Sequence, residues 1–134
     1  MYVLVAGSGK LGMGLAKVLA ARGHDVVMIG TDMDSGRAGK EFDGILISGS
    51  PVDEAVLESA GAGRAELFVA ATADDCLNAM AVQVARELFH IPATLARITD
   101  PELEKFYREM GLDTVCPTKS AIETILDRVA GRSV

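Results

Sequence analysis

The chain has 134 residues, enough for one hydrophobic core and too few for two ordinary ones. Hydrophobic residues make up 49% and charged residues 24%, the balance of an ordinary globular domain. Lys+Arg number 13 against 19 Asp+Glu, a net charge of −6 that argues against a basic face for nucleic acid, and no run of roughly 18 apolar residues offers a helical membrane span.

Apolar, β-rich runs alternate with helical patterns along the whole length. "YVLVA" (2–6) opens the chain as a strand, with no signal peptide expected before it. The glycine-rich stretch "VAGSGKLGMGLA" follows and passes into a helix whose apolar stripe is Leu11, Leu15, Val18 and Leu19. "ARGHD" turns the chain through Gly23 into "DVVMI" (25–29). "DMDSGRAGKEFDG" (32–44) reads as a surface connection to the strand "GILI" (44–47). Ser50 with Pro51 and Asp53 makes a helix start.

"LFVA" (67–70) precedes Thr72, Asp74 and Asp75. Thr72 with Asp75 three residues on has the form of a capping box, and the two aspartates read as helix N-terminal acids rather than metal ligands. Leu77, Met80, Ala81, Val84 and Leu88 then keep a 3.6-residue period for three turns. After "ATLAR" (93–97), Asp100 is the expected N-cap and Pro101 the first-turn residue of a helix carrying Leu103, Phe106, Tyr107 and Met110. "TVC" (114–116) is the sixth strand. Ser120 to Glu123 fits a capping box for a last helix, Lys119 to about Ala130, with Ile122, Ile125, Leu126 and Val129 on one face. Short continuous apolar strands alternating with helices predict an α/β fold: a Rossmann-like doubly wound parallel sheet of about six strands.

Gly7-Ser8-Gly9-Lys10-Leu11-Gly12 fits G-x-G-x-x-G, after a strand and at the opening of a helix. Gly7 permits the tight turn, Gly9 lets backbone approach a pyrophosphate, and Gly12 lets helix and strand pack closely. Free amides and the helix dipole attract the anion, and Lys10 adds a charge beside it. The Walker spacing is absent, which argues against phosphoryl transfer. Cys76 and Cys116 form no metal-spaced cluster and read as two buried thiols.

Three blocks carry a resemblance: the opening "VLVAGSGKLGMGLAKVLAARGHDVVMI", then "GRAELFVAATADDCLNAMAVQVARELF" with its Ala-x-Thr-x-Asp-Asp-x-x-Asn pattern, then "LARITDPELEKFYREMGLDTVCPT". In this order and spacing the chain resembles the nucleotide-binding N-terminal domain of the Trk/Ktr potassium-uptake regulators, the RCK, KTN or TrkA-N domain, from Met1 to about Ser120. The resemblance implies a cytoplasmic regulatory domain at residues 1–118 that binds an adenine nucleotide (ATP, ADP or AMP, or NAD/NADH). It implies a membrane potassium channel or transporter subunit of Trk/Ktr type as partner. It also implies that the helix in 119–134 crosses to a second copy in a homodimer or higher ring; the alternative is packing on its own sheet.

By position, the resemblance places phosphates at Gly7 to Gly12 and ligand contacts at Thr72 and Ala73, beside the plain capping role for Thr72. Arg97 would sit near the phosphates or a neighbouring subunit, or else reach a surface acid. Family members often carry a second, ligand-sensing domain, and none is expected within these residues.

Two departures stand out. The second strand ends on Gly30, followed by Thr31 and Asp32, where a dinucleotide site has an acid for the ribose hydroxyls. "SGSPVDE" puts Gly49-Ser50-Pro51 where the family has Gly-Asp-Ala near the adenine. A degenerate, weakly binding partner subunit is therefore the alternative to a nucleotide sensor. An NAD-dependent oxidoreductase is disfavoured. Tyr2 and Tyr107 have no lysine four residues on, His24 lies in a helix–strand turn, and His90 ends a helix.

Overall fold

The computed structural model describes residues 1–30 and 43–131. Thr31, Asp32 and most of the expected surface connection lie outside the described residues, as do the last three. Among the described residues the strands are β1 (Tyr2–Ala6), β2 (Asp25–Gly30), β3 (Ile45–Ser48), β4 (Leu67–Ala70), β5 (Ala93–Arg97) and β6 (Thr114–Val115). The helices are α1 (Lys10–Ala21), α2 (Glu54–Ser59), α3 (Asp75–Phe89), α4 (Pro101–Glu109) and α5 (Pro117–Ala130), with a 3-10 turn at Ala62–Arg64.

All the strands pair in parallel in one sheet of order β3-β2-β1-β4-β5-β6. The two-residue period of β1 divides the core between the two faces. Val3 and Val5 meet Met13 and Ala16 of α1, while Leu4 and Ala6 face the cluster holding Leu57 of α2 and Ala79, Val82 and Ala85 of α3. Leu4, Met28, Ile29 and Phe68 are wholly buried, each contributing about 1.5–3 kcal/mol. From β1 the chain runs outward to β2 and β3, then crosses to β4 and runs the other way to β6. The carboxyl ends of β1 and β4 therefore flank a switch point, where helices of opposite faces part and leave a crevice.

The expected stripes face the core only in part: Leu15 and Leu19 of α1 and Ala81 and Val84 of α3 pack on it, and the rest of each buried face is made by other residues. On α1 the buried residues are Gly12, Met13 and Ala16, whereas Leu11 and Val18 are exposed. On α3 they are Asn78, Ala79, Ala81, Val82 and Ala85, whereas Met80 and Leu88 are exposed. Small residues let each helix axis approach the sheet closely, which turns the larger apolar side chains onto the flanks. On α4, Leu103 and Tyr107 pack on the core while Phe106 and Met110 are exposed, and Asp100 caps the helix as expected, accepting from Glu102 N at 2.9 Å.

Two helix starts also differ. The helix after β3 begins at Glu54, capped by Asp53, which accepts from Ala55 N at 2.9 Å; Ser50 accepts from Val52 N at 3.3 Å in the turn before it. The last helix begins at Pro117 with Cys116 as N-cap, so Ser120 lies inside it and caps nothing. Pro117 is already suited to a first helical position. Of the two thiols only Cys116 is buried; Cys76 is exposed.

The start of α5 is fixed by a buried carboxylate. Glu104 of α4 accepts from Thr114 Oγ1 at 2.8 Å and lies 3.4 Å from Arg108 Nε and 3.9 Å from Lys119 Nζ. A charge withdrawn from water requires such compensation. Beyond it, every residue from Lys119 to Gly131 is exposed, with Ile125 and Leu126 each 60% accessible. The helix does not pack on its own sheet.

Candidate functional site

The glycine loop is held from three sides. Gly7 N donates to Ile29 O at 2.8 Å, which brings the loop against the end of β2. Gly7 has φ +108, and a Cβ there would stand 2.7 Å from the Ala71 backbone, so loop and β4 end are in close contact. A Cβ on Gly12 would run into the Gly7 carbonyl oxygen. Gly9 is the N-cap of α1 and brings no side chain to its first-turn amides. Those amides have no intrahelical acceptor, and the helix dipole adds partial positive charge there. A Cβ on Gly9 would meet nothing within 4 Å, so this residue faces open space.

The opposite wall comes from the ends of β4 and β5. Ala71 N donates to Ala6 O at 2.7 Å and continues the strand pairing to the loop. Asp74 caps α3, accepting from Leu77 N at 3.0 Å. Thr72 instead donates its hydroxyl to Asn78 Oδ1 at 2.6 Å, and Asp75 accepts from Thr99 N at 2.7 Å and Asp100 N at 3.0 Å. The expected Thr72–Asp75 capping box is therefore replaced, because Asn78 lies closer beneath the turn and the Asp75 carboxylate reaches across to the next loop.

Arg97 Nη1 donates to Thr72 O at 3.3 Å, while its Nε is buried without a hydrogen-bond partner. A buried cationic donor left unsatisfied is costly. The uncapped amides of α1, the bare Cα of Gly9 and this orphaned guanidinium nitrogen are together suited to an anion.

Between the walls lies a cleft of about 380 Å³. Of the expected residues, Gly7, Ser8, Gly9, Gly30, Thr72, Ala73 and Arg97 line it. Lys10, Leu11, Gly12 and Ser50 do not. Lys10 and Leu11 are exposed on the first turn of α1, Gly12 is buried beneath the loop, and Ser50 yields its place to Pro51. Ile29, Ala71, Asp74 and Leu77 also line the cleft and were not expected there as ligand contacts. Asn78, the last residue of the Ala-x-Thr-x-Asp-Asp-x-x-Asn pattern, is wholly buried and bonded to both strand ends, a role the pattern does not announce. Its signal is an asparagine among the small apolar residues of an inward helix face. Tyr107 donates to Cys76 Sγ at 3.7 Å outside the cleft, and that bond, with partial burial, raises its phenol above the ordinary pKa.

Residues 3–118 match the TrkA-N domain. The chain is 33% identical over 133 residues to the Trk system potassium uptake protein TrkA homolog of Methanothermobacter thermautotrophicus, covering 98% of this chain and 61% of that protein. It is 34% identical over 130 residues to Trk system potassium uptake protein TrkA of Streptomyces coelicolor, covering 96% and 58%. The chain thus spans roughly three-fifths of the length of these relatives.

Among solved structures it superposes on the TrkA-N domain of inner membrane protein ybaL from Escherichia coli with TM-score 0.83 at 20% identity, covering 94% of each chain. It superposes on the GsuK channel bound to NAD with TM-score 0.71 at 25% identity, covering 87% of this chain and 21% of that one. A family match over nearly the whole length, on a six-stranded parallel sheet with its cleft at the switch point, makes the conclusion plain: the chain belongs to the TrkA-N family.

Proposed function

We propose that this chain is the nucleotide-binding regulatory module of a potassium-uptake system. The observation that carries the reading is the buried Arg97 Nε, without an acceptor, at a cleft floored by the uncapped start of α1. The first-turn amides and Arg97 would hold the phosphates of an adenine nucleotide, with Gly9 leaving them room. One structural neighbour supports the ligand class: GsuK has been solved bound to NAD and to ADP. The nucleotide supplies an anionic charge that one arrangement of subunits satisfies better than another, and it can shift that balance only by this difference in affinity.

The apolar face of α5 would meet the same face of a second copy, giving a homodimer or a ring beneath a membrane potassium transporter subunit on the cytoplasmic side. Among the described residues no helix is long and apolar enough to cross a membrane. In this reading, residues 1–118 are the nucleotide domain and the helix beyond them is the assembly element. The cleft's only titratable side chains among its described lining are Asp74, engaged as a cap, and Arg97. This reading takes the cleft as a binding site rather than a catalytic one.

Gly30 favours a second reading, a partner subunit whose adenosine side binds weakly. Calorimetric titration of nucleotide-stripped protein with ATP, ADP, AMP, NAD⁺ and NADH, with light scattering for mass, separates the two. Micromolar binding of at least one ligand, with a changed mass or assembly, is the expected result. A folded dimer that binds none of them overturns the sensor in favour of the structural subunit.

A further inference from the structure

We infer that Asn78 is the positioning residue of the cleft, the side chain that holds the ends of β4 and β5 in the geometry a ligand meets. This rests on the nucleotide reading of the site. Asn78 is wholly buried on α3 and uses its whole amide. Its Oδ1 accepts from Thr72 N at 3.0 Å and from Thr72 Oγ1 at 2.6 Å. Its Nδ2 donates to Thr72 O at 3.0 Å and to Arg97 O at 2.8 Å.

One side chain thereby satisfies the amide, hydroxyl and carbonyl of one cleft residue and the carbonyl of another. Thr72 O also accepts from Arg97 Nη1 at 3.3 Å, so the carbonyl that Asn78 fixes is the one on which the guanidinium rests. The orphaned Nε of Arg97 therefore keeps its place through Asn78. No other residue type does this at that size: two acceptances at one atom and two donations at the other require a primary amide.

The isosteric Asn78→Asp separates positioning from packing. An ionised carboxylate would turn an acceptor toward two carbonyl oxygens, whereas a protonated one donates to one of them. The charged groups around it are Arg97 on β5, Asp74 and Asp75 at the start of α3, and Asp100 beyond the Thr99 turn. ADP affinity of the variant, measured against wild type at each pH, should fall at least about tenfold near pH 8, and the gap should close toward pH 5 as the new carboxyl takes up a proton. A folded variant with no loss at either pH, or with the same loss at both, overturns the proposal.

Should the variant not fold, hydrogen exchange of the wild type decides. The Thr72 amide should exchange slowly in ligand-free protein and change little when ADP is added, because Asn78 already holds it. Fast exchange that ADP slows overturns the preformed clasp. Wild-type protein that binds neither ADP nor NAD⁺ sinks the nucleotide reading instead, while the exchange of Thr72 still tests the clasp.

Discussion

The ends of β1 and β2 lie side by side in the sheet, yet they are built to different standards. Beyond β1 the chain is pinned at Gly7 and Gly12. Gly7 is pressed on Ala71, Gly12 on the Gly7 carbonyl, and the loop is tied by its amide to Ile29. Beyond β2 the strand ends on a buried Gly30 whose carbonyl accepts from Gly49 N at 3.0 Å, and the position offers no side chain to a ligand. On the proposed reading the phosphate side would depend on backbone, which only a few side-chain sizes permit, while the ribose side would depend on a side chain that the fold itself does not require. A site of this kind keeps its anion-binding half even when its nucleoside half has changed.

The most damaging way to break the comparison is Gly12→Ala. Its methyl group would collide with the Gly7 carbonyl, so either α1 moves off the sheet or the loop opens, at about 1–3 kcal/mol or more. Thermal unfolding should show a lowered midpoint, and nucleotide binding should be lost with it. A variant of unchanged stability would mean that the loop is not pinned by this contact.

Gly9→Val makes the opposite case, because a Cβ at Gly9 meets no protein atom within 4 Å. Stability should fall by no more than about 1 kcal/mol, the cost of replacing an N-cap glycine where an added Cβ meets nothing. Affinity for ADP or NAD⁺ should fall tenfold or more, since the side chain would stand where phosphate approaches the α1 amides. Titration beside a melting curve tests both halves of the statement. Intact binding would place the ligand elsewhere in the cleft.

Much of this was legible from the residues. Strands 2–6, 67–70 and 93–97 were readable to the residue because a strand buried on both faces is a continuous apolar run between turn signals. Asp100 and Pro101 announced α4 for a local reason, as cap and first-turn proline. The seating of α1 and α3 was legible only in part: Leu15, Leu19, Ala81 and Val84 of the expected stripes do face the core, whereas Leu11, Val18, Met80 and Leu88 are exposed and Gly12, Ala16, Ala79 and Ala85 take their place. Close approach to a sheet selects small residues, which carry little pattern of their own. Asn78 stayed hidden for another reason: its partners, Thr72 and Arg97, lie 6 and 19 residues away, and only the pairing of β4 with β5 brings them to one side chain.

The smallest expected effect sharpens the comparison rather than breaking it. Gly30→Asp puts a carboxylate at the strand end where dinucleotide sites receive the ribose hydroxyls. A hydrogen bond to a charged group contributes about 1.5–3 kcal/mol, and desolvation of the new carboxylate offsets part of that. A net gain of about tenfold in affinity is expected for ADP, and a smaller gain for 2′-deoxy-ADP, which has one hydroxyl fewer to offer. Equal gains for both would mean that the carboxylate acts on something other than the 2′-hydroxyl. No gain in a folded variant would mean that the ribose does not reach β2, and the contrast between the two strand ends would then have no bearing on what the cleft binds.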